Sequence, residues 1–226
     1  MKILHSITTC DKNKDLQDAI RQTFANDTDS YVFVGDHFEK DMVATLGLQT
    51  GYHLVPFKIA FYIMSSTTVD EFDFFFFQDD DTFVDPKLLK QKIIDLKISP
   101  DDDVCLGKIF KDYTKEKANE QGMPLHSLRG DRCELPLDYP SGGAGFVLTK
   151  SCFNKVRDYL RCQRDFPTAY NGDISIGFWI RNSSDCLMID CDKFQVDSQD
   201  FETKSDNITF HYMNADKMRK LYEIRK

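Results

Sequence analysis

Three consecutive aspartates, Asp79-Asp80-Asp81, follow directly after a nearly unbroken aromatic run from Phe72 to Phe77. The run is short, bounded and rich in β-formers, so it predicts a strand buried on both faces of a parallel sheet. The triplet then lies just past the carboxyl end of that strand, where ligands bind in open α/β sheets. Because adjacent carboxylates repel each other and offer hard oxygen ligands, they favour Mg²⁺ or Mn²⁺. The stretch therefore predicts a divalent-metal site that carries a diphosphate.

A second aspartate triplet, Asp101-Asp102-Asp103, provides a comparison within the same chain. It follows Pro100 and precedes the apolar segment Val104 to Gly107, which predicts a strand. This triplet therefore lies at the entrance of a strand, at the sheet edge opposite the one where ligands bind. We predict that it forms a solvated turn, whereas the first triplet is placed to hold a ligand.

A glycine-rich segment, Pro140 to Gly145, precedes another predicted strand. Its three glycines in four positions allow close backbone approach and positive φ. Taken alone, the segment is equally consistent with a tight turn that binds nothing. It is not a nucleotide-type G-x-G-x-x-G loop, because it leads into a strand rather than from a strand into a helix.

Two isolated side chains add further candidates. Asp173 stands at a predicted helix start, where it would serve either as an N-cap or as a base that takes a proton from a hydroxyl. His211 lies among apolar residues, as in Ile208 to Tyr212. Such a histidine is more often a core residue, but a neutral imidazole would complete a carboxylate site suited to Mn²⁺.

The periodicity of apolar residues and the turn signals predict one α/β domain over residues 1–226, with a mostly parallel central sheet flanked by helices. Besides the aromatic strand, strands are predicted at Lys2–Ser6, Tyr31–Val34, Val104–Gly107, Phe146–Thr149 and Leu187–Ile189. Helices are predicted at Asp15–Phe24, Pro56–Ser65, Pro86–Leu96, Ser151–Arg161 (capped by Ser151), Ile174–Ile180 and Asn214–Lys226. The polar segment Lys111–Asp138 is predicted to be a long loop that shapes the acceptor site.

Composition narrows the function classes. The 226 residues carry 29 basic and 37 acidic side chains, a net charge of −8, which argues against a nucleic-acid partner. No run of 18 or more apolar residues occurs, so no transmembrane helix is expected, and the first residues turn polar too early for a signal peptide. The seven cysteines show no zinc-ligand spacing, and most are expected to be buried thiols.

In their order along the chain, these motifs resemble the fringe and core 1 β1,3-galactosyltransferase family. The resemblance spans about residues 3 to 215. It rests on Asp79-Asp80-Asp81-Thr82-Phe83-Val84, Tyr139-Pro140-Ser141-Gly142-Gly143-Ala144-Gly145-Phe146, Gly172-Asp173-Ile174-Ser175-Ile176-Gly177 and Phe210-His211-Tyr212. Upstream, Ala19-Ile20-Arg21-Gln22-Thr23-Phe24, Phe33-Val34-Gly35-Asp36 and Lys58 also match. Gly172 departs from the family, which usually has an acidic residue before the catalytic aspartate.

The resemblance implies a GT-A fold and inverting transfer of a sugar from a UDP-sugar donor to a glycan or glycoprotein, with Mn²⁺ or, alternatively, Mg²⁺ as cofactor. Carried over by position, Asp173 is the base. Asp81 and His211 bind the metal, and Asp79 or Asp80 binds the metal or the donor ribose. The nucleotide is bordered by Thr8, Thr9, Arg21 and Lys58, and the donor sugar by Gly142 and Gly143.

Several alternatives stay open at this point. Family members are typically Golgi membrane proteins, whereas this sequence predicts a soluble cytoplasmic protein; a shortened chain from the Golgi lumen is the alternative. A non-catalytic sugar- or nucleotide-binding module on the same fold is the second functional hypothesis. A different Mg²⁺ enzyme, such as a phosphatase, is the third, and the identity of the transferred sugar is not encoded in these motifs.

Overall fold

The computed structural model describes residues 1–37, 39–44, 55–67, 69–114, 116–117, 136–163, 172–204 and 206–226. In chain order the strands are β1 (Ile3–Thr8), β2 (Ser30–Gly35), β3 (Met42–Ala44), β4 (Phe74–Asp79), β5 (Phe83–Val84), β6 (Val104–Gly107), β7 (Ile109–Tyr113), β8 (Leu137–Pro140), β9 (Phe146–Thr149), β10 (Leu187–Asp190), β11 (Phe194–Gln195) and β12 (Thr209–Phe210). The helices are α1 (Lys14–Gln22), α2 (Val55–Ser65), α3 (Pro86–Asp95), α4 (Lys150–Cys162), α5 (Gly172–Ser183) and α6 (Ala215–Arg225).

The central sheet has seven strands in the order β10-β6-β9-β4-β1-β2-β3. Strand β9 runs antiparallel to both of its neighbours, and the other neighbouring pairs are parallel. The predicted α/β architecture with a mostly parallel sheet is therefore confirmed. A small three-stranded sheet, β11-β12-β5, lies beside it and has a direct role in the site described below.

The aromatic strand β4 is buried on both faces, as predicted. Phe75 and Phe77 belong to one core layer and stack with Phe153 of α4 at ring-centroid distances of 3.9 and 6.2 Å. Phe74 and Phe76 belong to the core layer on the opposite face. Burial of each such ring contributes about 2–3 kcal/mol, so this strand fixes the register of the sheet and the position of the aspartates that end it.

Some element boundaries differ from the predicted ones. The N-cap of α4 is Thr149, whose hydroxyl accepts a hydrogen bond from the Cys152 backbone N–H, so the prediction of Ser151 as cap is wrong. The Ser151 hydroxyl instead donates to the Asp103 carboxylate at 2.7 Å. Serine is a common N-cap residue, but Ser151 does not cap α4 because its hydroxyl group is bound to this distant partner.

The segment Lys111–Asp138 is not loop throughout. Its two ends belong to β7 and β8, which pair antiparallel, and residues 118–135 lie outside the described part of the chain. Tyr113 and Leu137 are both 1% exposed and hold this pair against the core. The strand signal was hidden because Lys111 and Asp112 interrupt the apolar pattern.

The second aspartate triplet forms the predicted turn at the entrance of β6. The Asp102 carboxylate accepts a hydrogen bond from the Ser99 backbone N–H at 2.7 Å, which closes the turn on itself. Asp101 is exposed. Within the described residues, no helix combines the length and the apolar character needed to cross a membrane.

The sulfur atoms of Cys152 and Cys186 lie 3.2 Å apart, both as free thiols. We predict that oxidised glutathione converts this pair to a disulfide, the two thiols becoming one S–S bond while the oxidant becomes two molecules of glutathione. Closing this loop, with a sequence separation of 34 residues, should raise the free energy of unfolding by about 4 kcal/mol. Denaturant unfolding with and without reductant, with thiol alkylation and mass spectrometry, measures both effects.

The control for this experiment is Cys152→Ser, which should abolish the stabilisation. If Cys186 is still fully alkylated after oxidation of the unchanged chain, the expected pair does not form. The remaining described cysteines serve as internal references; Cys105 and Cys191 are buried, Cys10 is half-buried and Cys162 is exposed.

Candidate active site

A cavity of about 540 Å³ opens at the carboxyl ends of β1 and β4. Thr8 and Asp79, the last residues of these strands, are partners in the parallel register. Of the eleven predicted site residues, the cavity brings together ten: Thr8, Thr9, Lys58, Asp79, Asp80, Asp81, Gly142, Gly143, Asp173 and His211. Residues far apart in the sequence thus converge where the topology of a parallel sheet places ligands.

Asp79, Asp81 and His211 form the one cluster of metal-ligand type found among the described residues, with ligand atoms all within 4.8 Å of one another. The His211 Nε2 and an Asp81 carboxylate oxygen are 3.2 Å apart. The small sheet explains why Asp81 and His211 lie close together, because Phe83 pairs with Phe210 in antiparallel register. Residues on either side of this pair are therefore neighbours, and the Met213 backbone N–H donates to the Asp81 carbonyl at 2.8 Å.

The electrostatics of the cluster favour a cation. Burial, followed by the negative charges of Asp173 and Asp81, raises the pKa of Asp79 to about 7. Burial lowers the pKa of His211, but the hydrogen bond and charge of Asp81 outweigh it, so the pKa is raised overall. Two carboxylates and an imidazole make a donor set that suits Mn²⁺ and also accepts Mg²⁺. The residues present therefore fit the predicted metal.

Asp80 points to a different set of partners from its two neighbours. Its carboxylate accepts hydrogen bonds from the Thr9 hydroxyl at 2.5 Å and from the Asn13 amide at 2.9 and 3.1 Å. Gln17 donates in turn to the Thr9 hydroxyl at 3.0 Å. Burial raises the pKa of Asp80 to about 6, although these hydrogen bonds oppose the shift. Asn13 was not predicted; its position shortly after β1, at the ligand-binding edge, is the signal that would have found it.

Lys58 is 3% exposed and brings a positive charge to the cavity wall from α2. Its ammonium group donates to the Thr9 carbonyl at 3.3 Å and forms an ion pair with Asp36. Among the described lining residues, Lys58 is the only lysine or arginine. A buried lysine at this place is suited to offset the charge of an anionic ligand.

Arg21 is the predicted site residue that the structure places elsewhere. Its guanidinium makes two hydrogen bonds to the Asp41 carboxylate, at 2.8 and 2.9 Å, and lies over the Phe33 ring. It lines a separate depression together with Asp41 and Tyr31. Arg21 was expected to border the nucleotide, but it is therefore not included in the proposed donor site.

The glycine segment leaves room for two functional side chains. A Cβ atom on Gly142 would lie 2.5 Å from a carboxylate oxygen of Asp173, and a Cβ on Gly143 would overlap the His211 ring. Gly145 has a φ of +80°, which favours glycine. The segment is thus a turn that also permits close approach of the Asp173 and His211 side chains.

Asp173 lies in the first turn of α5. Burial raises the pKa of this carboxyl group to about 6, although a hydrogen bond from the Gly142 backbone N–H and the charge of His211 oppose the shift. A carboxylate with such a pKa is ionised at neutral pH and is a stronger base than an exposed one. Asn171, which precedes this helix, lies outside the described residues.

Gly143→Ala should lower the affinity for Mn²⁺ at least about tenfold, because the added methyl group displaces the His211 ring. Calorimetric titration with Mn²⁺ measures the change. The same substitution in a His211→Ala background serves as control, since the ring is then gone and the methyl group should have little further effect. An equal loss in both backgrounds would show that the glycine serves the backbone rather than the ring.

Comparison with known proteins was made on sequence and on structure. The family model described as Galactosyltransferase matches residues 20–185. A solved glycosyltransferase involved in the glycosylation of the major capsid of PBCV-1 is 12% identical with a TM-score of 0.52, and the match covers 99% of this chain and 100% of that one. The galactosyltransferase LgtC, solved with donor and acceptor sugar analogs, is 8% identical with a TM-score of 0.49, covering 97% and 95%.

The structural likeness concerns the fold, and the family match covers most of the chain. The matched range contains the aspartate triplet, the glycine segment and Asp173, whereas His211 lies beyond it. The match supports an enzyme rather than the alternative of a non-catalytic sugar- or nucleotide-binding module. The convergence of these motifs in one cavity agrees with the match, and the chain belongs to the galactosyltransferase family as a glycosyltransferase with the GT-A fold.

Proposed function

We propose that this protein is an inverting, metal-dependent glycosyltransferase that moves a hexose-type sugar from a UDP-sugar to a hydroxyl group of a glycan or glycoprotein, with a β1,3 linkage. The observation that carries the proposal is the presence of two separate functions in one cavity. One is a donor set for a divalent cation, formed by Asp79, Asp81 and His211. The other is Asp173, a half-buried carboxylate held by a hydrogen bond from the Gly142 backbone N–H.

The metal ligands and Lys58 account for binding of the donor diphosphate. Asp79, Asp81 and His211 would hold a divalent cation, which would supply Lewis-acid stabilisation of the leaving diphosphate. Lys58, which also pairs with Asp36, brings a buried ammonium group to the α2 side of the same cavity. The protein thereby offers positive charge to the part of the donor that becomes more negative as the sugar leaves.

Asp80 and its partners account for the nucleoside part of the donor. The buried residues Asp80 and Thr9 and the half-buried Asn13 form a hydrogen-bonded group beside the metal ligands. Because the Asp80 carboxylate is held by Thr9 and Asn13 and is not part of the metal-ligand cluster, it is better suited to accept a hydrogen bond from a ribose hydroxyl than to bind the metal. Thr8 lies at the same strand end and borders this part of the cavity.

Asp173 accounts for the inversion. It accepts the proton of the acceptor hydroxyl as the acceptor oxygen bonds to the anomeric carbon and the bond to the diphosphate breaks. A single displacement of this kind inverts the anomeric centre, and the sugar passes through an oxocarbenium-like state. Gly142 and Gly143 line the same cavity in close contact with Asp173 and His211, respectively, where the donor sugar would lie.

The direct test is incubation of the protein with UDP-galactose, UDP-glucose or UDP-N-acetylglucosamine, with Mn²⁺ and a panel of methyl glycosides. We expect release of UDP together with a new glycoside for one donor, and loss of both when EDTA is added. NMR of the product shows whether the anomeric configuration is inverted. Release of inorganic phosphate as the main product would instead support a phosphatase.

A further inference from the structure

An aromatic side chain stands exposed at the wall of the cavity. Phe110, on β7, is 38% exposed although it lines the same cavity as the metal ligands. Its neighbour in the hairpin, Ile109, is 4% exposed. Phe110 therefore presents an aromatic face to the cavity, where apolar and aromatic side chains contact ligands, on a strand whose two ends, Ile109 and Tyr113, are buried.

Phe110 lies on the side of the cavity that holds the proposed base, not on the side of the metal ligands. Its ring packs against the ring of Tyr139 on β8, with centroids 5.4 Å apart. Strand β8 in turn contacts α5 closely, because a Cβ on Gly177 would lie 2.5 Å from the Cβ of Tyr139. Helix α5 carries Asp173 in its first turn. Phe110 therefore belongs to the wall of the cavity that holds the base.

The metal side of the cavity has its own aromatic residue. Tyr212 stacks on the His211 ring with centroids 3.8 Å apart and is 65% exposed. Tyr212 packs on a metal ligand, whereas Phe110 belongs to the wall of the cavity that holds the base. We therefore assign the Tyr212 ring to the donor side of the cavity and the Phe110 ring to the acceptor side. In a displacement with inversion, the acceptor approaches on the side of the base.

We propose that Phe110 is the platform on which the acceptor's pyranose ring stacks, so that the acceptor is a sugar with an apolar C–H face rather than a serine or threonine hydroxyl of a peptide. The inference rests on the proposed function, since it takes Asp173 as the base. An aromatic face attracts the weakly positive C–H groups of a galactose-type ring and also excludes water from it. The sugar hydroxyls on the ring edge are then left to reach the carboxylate.

Saturation-transfer NMR tests the platform without knowledge of the natural acceptor. The sample contains the full chain, UDP, Mg²⁺ and methyl β-galactopyranoside. We expect saturation of the C–H protons on one face of the sugar, and at least about a fivefold loss of this signal in Phe110→Ala. Phe110→Trp should retain the signal, because it keeps an aromatic face.

Phe61→Ala is the matched control, because Phe61 is also 38% exposed but does not line the cavity. The UDP signals of the same sample report the donor site and the integrity of the fold. Sugar saturation that is unchanged in Phe110→Ala, or absent in the unchanged chain while UDP is bound, would overturn the platform and leave the proposed function standing. Failure of UDP to bind the unchanged chain would instead count against the proposed function.

Discussion

Asp173→Asn should lower kcat for sugar transfer about a thousandfold and leave the affinity for UDP within about twofold. General bases typically contribute between about a hundredfold and ten-thousandfold to rate. Asparagine has the same shape and keeps an oxygen that can accept from the Gly142 backbone N–H, so the local structure should survive. Steady-state kinetics and UDP calorimetry on the same preparation separate the loss of the base from the loss of the donor site.

Asp216→Asn provides the matched control for this substitution. Asp216 also lies in the first turn of a helix, α6, but its side chain is 98% exposed and outside the cavity. We expect its activity to equal that of the unchanged chain. If Asp173→Asn keeps more than about a tenth of the activity, the base lies elsewhere.

The pH dependence of the unchanged enzyme gives a second readout of the same residue. Burial raises the pKa of Asp173 to about 6, and a base acts only in its deprotonated form. The rate should therefore rise about tenfold per pH unit below pH 6 and level off above it. With Mn²⁺ kept saturating at every pH, the acidic limb should disappear from the residual activity of Asp173→Asn.

The features that could be predicted from the sequence are those that local pattern determines. The phenylalanines of β4 alternate between two faces whatever surrounds them, so the strand and the aspartates at its end were readable. The different roles of the two aspartate triplets could be predicted because one triplet follows a strand and the other precedes one. The parallel sheet then follows, because its short buried strands are separated by helices.

The features that sequence could not supply depend on partners distant in the chain. Arg21 was expected at the nucleotide, but Asp41 neutralises it on another surface. The sequence does not distinguish Asp80 from the two metal-ligand candidates of the triplet. The structure does, because Thr9 and Asn13 donate hydrogen bonds to Asp80. A motif gives the residue types of a site, whereas folding decides which of them face the ligand.

Asp81→Asn should weaken Mn²⁺ binding at least about a hundredfold and should abolish the metal-dependent part of UDP binding. Loss of an outer partner of a metal ligand typically weakens affinity by about ten- to a hundredfold, and Asp81 is placed to be a direct ligand. It contributes both a negative charge and the oxygen that lies 3.2 Å from His211 Nε2. Calorimetry with Mn²⁺, and with UDP in the presence and absence of Mn²⁺, measures each effect.

Asp101→Asn is the matched control, because Asp101 belongs to the other aspartate triplet and is exposed. It removes the same charge from the chain, so a general electrostatic effect would appear in both variants. We expect Asp101→Asn to bind Mn²⁺ as the unchanged chain does. Equal weakening in the two variants would argue that net charge, rather than a site at the end of β4, determines metal affinity.

Protons should compete with the metal at the same cluster. The pKa of Asp79, raised to about 7 by burial and then by the charges of Asp173 and Asp81, means that this carboxyl group is protonated below pH 7 when no metal is bound. A ligand must lose its proton to bind a cation, and His211, whose pKa is also raised, must lose one too, so the affinity for Mn²⁺ should fall at least about tenfold per pH unit below 7. Affinity that stays constant between pH 5 and 7 would show that neither Asp79 nor His211 is a ligand, because the His211 imidazole, whose pKa is also raised, must lose its proton to bind a cation.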